Sequence, residues 1–225
     1  MIAQAAPGLV YSFAMIEPVG VALPTLRRLP LYLDLVEERR KAGEEWISSE
    51  ALARRLGLSA ILVRKDLGAV GALGSPKRGF PTAATAEILK SLIRADELSA
   101  AFLVGAGALA EAVLDDASLA RRGFEVVALF HPAPAAVGKR LRSMEVLSLS
   151  KLPDLSRRMG IKLAILAIEP EWGAETSEAL AASQIAGVLD VTGAALPLPA
   201  GLAAIRQSFG TGLAALAGEV RIRKI

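Results

Sequence analysis

Five apolar residues, Ala100–Val104, run directly into Gly105-Ala106-Gly107-Ala108-Leu109-Ala110. Two glycines at this spacing, between an apolar run and an alanine-rich segment, describe a buried strand, a tight turn and the start of a helix. The first glycine permits the turn, the second lets backbone approach a pyrophosphate, and Ala110 lets the helix pack closely on the strand. The first amides of such a helix are free to meet phosphate. G-x-G-x-x-A alone is a weak signal, and its position between strand and helix is what gives it weight.

A βα rhythm continues from there. The spacing predicts a helix over Ala108–Ala120, a strand over Phe124–Phe130, a short helix over Ala135–Leu141 and a short strand over Glu145–Leu147. A helix over Leu152–Met159, a strand over Leu163–Ile168, a helix over Thr176–Ser183 and a last clear strand over Gly187–Val191 follow. The strands are continuous apolar runs, as in a parallel sheet buried on both faces. This half reads as a Rossmann-like, doubly wound parallel sheet. No internal repeat or low-complexity segment interrupts it.

The first half has a different grammar. Pro24 and Pro30 bracket Thr25–Leu29, a helix is expected over Leu31–Ala42, and Gly43 ends it. Trp46-Ile47 suits a short strand. Ser49 is placed to cap a helix over Glu50–Leu56, Gly57 closes it, and Ser59 caps a third helix over Ala60–Val70. Helix, tight turn and helix form a helix-turn-helix signature. Lys77-Arg78-Gly79 then falls in a basic turn where a wing belongs, and Thr82–Ala95 reads as one more amphipathic helix. A three-helix bundle with solvated charges is the plain alternative. The fold class is therefore α/β, an N-terminal winged helix-turn-helix followed by a C-terminal Rossmann-like doubly wound parallel sheet. The boundaries are an arm at 1–23, a winged-helix domain at 24–95, a Rossmann-like domain at 96–208, and a C-terminal helix and tail at 209–225, with Asp96-Glu97 as the linker.

Charge separates the two halves. The net charge is only +3, yet residues 24–94 hold 13 Lys+Arg against 8 Asp+Glu, while residues 95–225 hold 13 against 14. Within 51–80 six cations (Arg54, Arg55, Arg64, Lys65, Lys77, Arg78) face one anion, Asp66. That points to double-stranded DNA as a partner, although solvated helix faces also carry charge. The candidate DNA contacts are Arg28, Ser49, Ser59, Arg64, Lys65, Lys77 and Arg78. The chain has no cysteine, which excludes disulfides, thiolate nucleophiles and cysteine metal sites. Residues 1–23 have no basic leader and are broken by Pro7, Gly8, Glu17, Pro18 and Gly20, and Leu98–Leu109 is too short to span a bilayer, so neither a signal peptide nor a membrane role is expected.

The candidate nucleotide pocket comprises Gly105, Ala106, Gly107, Ala108 and Leu109, with His131, Ile168 and Glu169 beyond strand ends. A dinucleotide site expects an acid at the end of the second strand to hold the ribose hydroxyls. Here His131, the only histidine, stands in that place. An imidazole can hydrogen-bond a ribose without supplying fixed negative charge, and it can equally be structural. No metal ligands accompany it, and no acid–base pair for catalysis is evident. Glu169, Glu171 and Glu175 follow a strand, so they are either pocket-adjacent or helix-start acids favoured by the dipole. Lys139 and Arg140 suit either a 2′-phosphate or a solvated face.

On these residues the chain resembles the Rex family of redox-sensing transcriptional repressors over roughly residues 24–219. The resemblance is carried by Arg28-Leu29-Pro30-Leu31-Tyr32, Ile47–Ala53, Val63-Arg64-Lys65-Asp66-Leu67, Gly71-Ala72-Leu73-Gly74 and Lys77-Arg78-Gly79. In the second half it is carried by Val104–Leu109, Gly123–Ala128 and Ile161–Leu166. It implies a homodimer that binds a palindromic operator when NADH is scarce, NAD(H) as the ligand, a cytoplasmic setting, no enzymatic activity, and a C-terminal helix over Gly212–Glu219 exchanged between subunits. The chain departs from the family pattern at Phe130-His131, where an Asp is usual, at Phe80-Pro81-Thr82 after the wing, and at Asp190-Val191-Thr192-Gly193. Two other functions stay open: a diverged paralogue that binds DNA without sensing a nucleotide, and a nucleotide-dependent oxidoreductase or CoA-type ligand-binding protein.

Overall fold

The structure is a computed structural model and describes residues 21–93 and 99–223. Most of the expected N-terminal arm and the Asp96-Glu97 linker lie outside the described residues. The chain divides into two compact units, Met1–Arg94 and Ala95–Ile225.

In the first unit α1 spans Leu23–Lys41, with Pro24 in its first turn and Pro30 inside it. The two prolines suggest a helix starting at Leu31; α1 instead starts at Leu23 and passes through Pro30. An interior proline costs about 3 kcal/mol. Packing offsets this, because Thr25, Leu29, Tyr32 and Val36 are buried on both sides of it. β1 (Trp46–Ile47) pairs antiparallel with β2 (Phe80–Pro81). α2 (Ser49–Leu56) ends on Gly57 in the left-handed region, and α3 (Ala60–Ala69) follows after Leu58 and Ser59. The Ser59 hydroxyl accepts from the Leu62 amide at 3.2 Å, the cap its position predicts. For α2 the cap is one residue earlier than expected. Ser48, in extended conformation, accepts from the Ala51 amide at 3.0 Å, while Ser49 is the first helical residue and is buried. α4 (Thr82–Ile93) completes the unit. Leu29, Tyr32, Val36, Leu52, Val63, Leu67, Phe80 and Leu89 form its core.

Ser75 and Gly79 close the wing turn, the Ser75 amide donating to the Gly79 carbonyl at 2.7 Å and the Gly79 amide donating back at 3.0 Å. Gly79 is required here. Its φ is 93°, and a Cβ would lie 2.3 Å from the Ile47 carbonyl oxygen. The wing therefore runs flush against β1.

The second unit is one seven-stranded sheet. Its elements are β3 (Ala100–Val104), α5 (Ala108–Leu114), α6 (Ala117–Arg121), β4 (Glu125–His131), β5 (Arg140–Leu141) and β6 (Met144–Ser148). They continue with α7 (Leu152–Met159), β7 (Leu163–Leu166), α8 (Gly173–Ala181), β8 (Gly187–Asp190), β9 (Ala203–Arg206) and α9 (Phe209–Arg223). The strand order is β5-β6-β4-β3-β7-β8-β9. All neighbours are parallel except β5 and β6. Period-two alternation sends Phe102 and Val104 to one buried face and Ala101 and Leu103 to the other. This is the expected Rossmann-like sheet.

Three local expectations change. Ala108–Ala120 is two helices, because Asp116 turns extended and accepts from the Ser118 amide at 2.8 Å, starting α6. Ala135–Leu141 forms no helix. Gly138 takes a φ of 82°, its amide and the Lys139 carbonyl both pair with Val146, and Arg140–Leu141 becomes an edge strand. Finally, β8 is not the last strand, since β9 adds to it in parallel.

Candidate nucleic-acid interface and nucleotide crevice

In α3 the helical repeat divides the side chains by role. Val63, Asp66 and Leu67 are buried, while Ile61, Arg64, Lys65 and Gly68 face outward. Arg64 Nη1 donates to Ser49 Oγ at 2.9 Å and to Glu50 Oε1 at 3.0 Å, so α2 props its guanidinium at the exposed surface. Lys65, Lys77 and Arg78 are exposed. Lys77 has a φ of 68°, and the Arg78 guanidinium stands 5.0 Å over the Trp46 ring, a cation–π contact that orients the wing cation.

Arg28 is placed differently from its expectation as a DNA contact. Its Nε and Nη2 donate to the two oxygens of Asp66 at 2.6 and 2.9 Å. Thr25 Oγ1 donates to Asp66 Oδ1 at 2.8 Å and Tyr32 Oη to Oδ2 at 2.7 Å. Asp66 is 2% exposed, so four donors from α1 satisfy a buried carboxylate on α3. Burial by itself pushes the Asp66 carboxyl up, but the hydrogen bonds from Arg28, Tyr32 and Thr25 outweigh it and hold the group below its ordinary value. The same carboxylate holds the Arg28 guanidinium in its charged form. Burial, then the Asp66 bond, pushes the Tyr32 phenol well up. Arg28 and Ser49 thus serve protein contacts: one fixes α3 to α1, the other holds Arg64.

In the second unit the glycine turn sits where strand order reverses, between β4 and β7. The Gly105 amide donates to the Phe130 carbonyl at 2.9 Å, and the Ala167 amide donates to the Val104 carbonyl at 2.8 Å. Gly105 has a φ of 137°, and a Cβ there would lie 2.0 Å from the Ala167 oxygen. Ala110 is fully buried, packing α5 on the sheet. Ala106 and Gly107 are half-buried and Ala108 is exposed. Leu109 turns away from the crevice to line an apolar cavity of about 990 Å³ bounded by α5, Ile165, Leu189 and the first turns of α9.

His131 ends β4 and is 5% exposed. The Ala133 amide donates to its Nδ1 at 3.0 Å, so the ring proton belongs on Nε2, which lies 3.3 Å from Glu169 Oε2. Trp172 packs edge-on with ring centroids 6.0 Å apart. The other carboxylate oxygen of Glu169 stands 3.1 Å from where a Gly107 Cβ would be. His131 and Glu169, both expected near the pocket, are therefore a pair, with the carboxylate resting over the glycine turn. Ile168 points into the core and offers this region only its backbone. Trp172 was not among the expected site residues. Among the described residues there is no cluster of three or more acids or histidines able to hold a metal, and no helix long and apolar enough to cross a membrane.

Residues 20–68 match a family described as "Putative DNA-binding protein N-terminus". The redox-sensing transcriptional repressor Rex of Treponema denticola is 27% identical over 203 residues, covering 90% of this chain and 97% of that protein. The Rex of Rhodopirellula baltica is 29% identical over 203 residues, covering 90% of this chain and 86% of that protein. Along about nine-tenths of its length the chain is similar to redox-sensing transcriptional repressors named Rex. Its fold is also that of RSP, a Rex-family repressor of known crystal structure, at 24% identity and a TM-score of 0.77, covering 91% of this chain and 95% of RSP. RSP has been crystallised with β-NADH (TM-score 0.75) and with β-NAD+ and operator DNA (TM-score 0.74). In this chain the second strand of the sheet ends on His131, and the acid that meets it, Glu169, stands across the crevice from that strand.

Proposed function

We propose that this chain is a DNA-binding transcriptional regulator, a Rex-type repressor whose hold on operator DNA responds to NAD(H), and not an enzyme. The observation that carries the reading is the outward face of α3. Arg64 and Lys65 lie one helical turn behind the capped N-terminus, with Ser59 at the start and Lys77 and Arg78 on the wing. A recognition helix uses its N-terminal part to meet base edges in the major groove, while cations and capped amides meet phosphate. Relatives named as redox-sensing repressors support the same reading. The setting is cytoplasmic, beside the chromosome.

The regulator acts as a homodimer on a palindromic site. α9 supports this: Phe209, Leu213, Leu216, Val220 and Ile222 are exposed on it, an apolar load that suits a second copy of the chain. Two α3 helices about 34–36 Å apart would then meet successive major grooves. Arg64→Ala is the deciding variant. In a gel shift at fixed salt it should lower affinity for a selected operator by about 10- to 100-fold per half-site, the span of one base-reading arginine. Unchanged affinity and sequence preference would remove α3 from the recognition role.

NAD(H) fits the crevice between β4 and β7, with Gly105–Ala108 under the pyrophosphate and His131 and Glu169 near the ribose. Rex itself gives the precedent, RSP having been crystallised with both redox forms. Glu169 over Gly107 favours a second reading, a paralogue that binds DNA without sensing a nucleotide, because a pyrophosphate must first displace that carboxylate. Nicotinamide fluorescence with NADH separates the two. Saturable binding below about 0.1 mM and release of operator fit the sensor, since a tenfold loss of DNA affinity needs about 1.4 kcal/mol of differential binding. No binding at millimolar NADH leaves the second reading.

A further inference from the structure

Ile61 is an isoleucine set among the polar residues of the outward face of α3. It is 72% exposed, although Val63 and Leu67 of the same helix are completely buried. It is the second residue of α3, directly after the Ser59 cap and Ala60. Arg64 and Lys65 are its neighbours at three and four positions on, and Gly68, seven on, has open space where a Cβ would be. A helix places such positions side by side on one stripe. The aliphatic side chain therefore stands at the leading end of a cationic stripe, not on the flank of the unit.

We propose that Ile61 reads a thymine: its side chain packs on the C5-methyl group of one T·A pair in the major groove, and so sets sequence preference at that position. This rests on the DNA-binding reading above and sharpens it. The charge around Ile61 names the occupant, since six cations against one anion in residues 51–80 complement a phosphate backbone and repel a basic protein surface. Among base edges in the major groove, only thymine offers a methyl group, and an aliphatic side chain can neither donate to nor accept from the others. A cytosine or adenine amine under Ile61 would lose its water without gaining a partner. Gly68 carries no side chain at the far end of the stripe, so nothing there holds the helix away from the groove.

The test removes one methyl group at a time. The wild-type chain first selects duplexes from a library of randomised palindromes, and each thymine of the selected site is then replaced by deoxyuridine. A symmetric pair of replacements at one position should weaken wild-type binding by about 15-fold, about fourfold per buried methyl. Ile61→Ala, a surface change in a good helix former, should bind the thymine and uracil duplexes equally and still enrich the same flanking bases. If no replacement changes wild-type affinity by more than twofold, or if Ile61→Ala keeps the wild-type thymine-to-uracil ratio, the assignment fails while DNA binding stands. If the wild type enriches no duplex at all, the DNA-binding reading fails and takes this assignment with it.

Discussion

Asp66→Ala is expected to loosen α1 from α3 and cost the first unit about 3 kcal/mol. Removing one partner of a buried ion pair typically costs 3–5 kcal/mol, because the other charge stays uncompensated; Arg28 keeps some solvent access at 22%, which sets the figure at the low end. Thr25 and Tyr32 lose their acceptor as well. Asparagine should not rescue the site. All four contacts come from donors, and an amide nitrogen turned toward Arg28 or Tyr32 opposes another donor. Hydrogen exchange of α1 and α3 amides measures the effect, and a loss below about 1 kcal/mol would contradict it. The carboxyl also gives the unit an acid limit. Its folded pKa lies below the ordinary value, so its contribution is complete above about pH 4 and is lost as pH falls through the lowered value. Tyr32 works in the opposite sense. Its raised pKa leaves its contribution complete below about pH 10 and removes it only at higher pH.

The two glycines of the nucleotide turn should respond differently to the same methyl group. Gly105→Ala forces a Cβ to within 2.0 Å of the Ala167 carbonyl at a φ of 137°. Backbone must move at the centre of the sheet, at a cost of roughly 3–5 kcal/mol, the range reserved for severe core defects. Gly107 has ordinary extended backbone, φ −94° and ψ −170°, and an added Cβ meets only the flexible Glu169 carboxylate. Gly107→Ala should therefore fold within about 0.5 kcal/mol of the wild type, yet weaken NADH more than tenfold, because the methyl group occupies the approach of the pyrophosphate. Thermal unfolding and nicotinamide fluorescence on both variants separate stability from binding. An unstable Gly107→Ala, or one that binds NADH normally, would show that the phosphates do not cross this turn.

Much of this was legible in the chain because it is encoded locally. Ser59, Gly57 and the run Ala100–Gly107 each state a cap, a stop or a turn within a few residues. What escaped depends on distant partners. Pro30 reads as a boundary until Thr25 and Tyr32 are seen holding Asp66 from both sides of it. The choice of Ser48 over Ser49 as cap follows from Arg64, fifteen residues on, taking the Ser49 hydroxyl. β9 is short and alanine-rich, and only its partner β8 makes it a strand. His131 and Glu169 are visible singly, but a pair separated by 38 residues is not. The Asp66 knot did leave a trace: Val63, Asp66 and Leu67 fall on one helical stripe, which marks the aspartate as inward-facing.

That stripe has an evolutionary consequence. In α3 the residues that hold the helix, Val63, Asp66 and Leu67, are none of those that face away from it, Ile61, Arg64, Lys65 and Gly68. Substitutions at Ile61, Lys65 and Gly68 leave the buried group untouched, and Arg64 alone of the outward four is tied to α2, through Ser49 and Glu50; under the proposed recognition role, sequence preference can therefore change at little cost in folding. If α3 reads DNA as proposed, a lineage carrying it can acquire new targets by changing a few outward side chains on a support that stays the same.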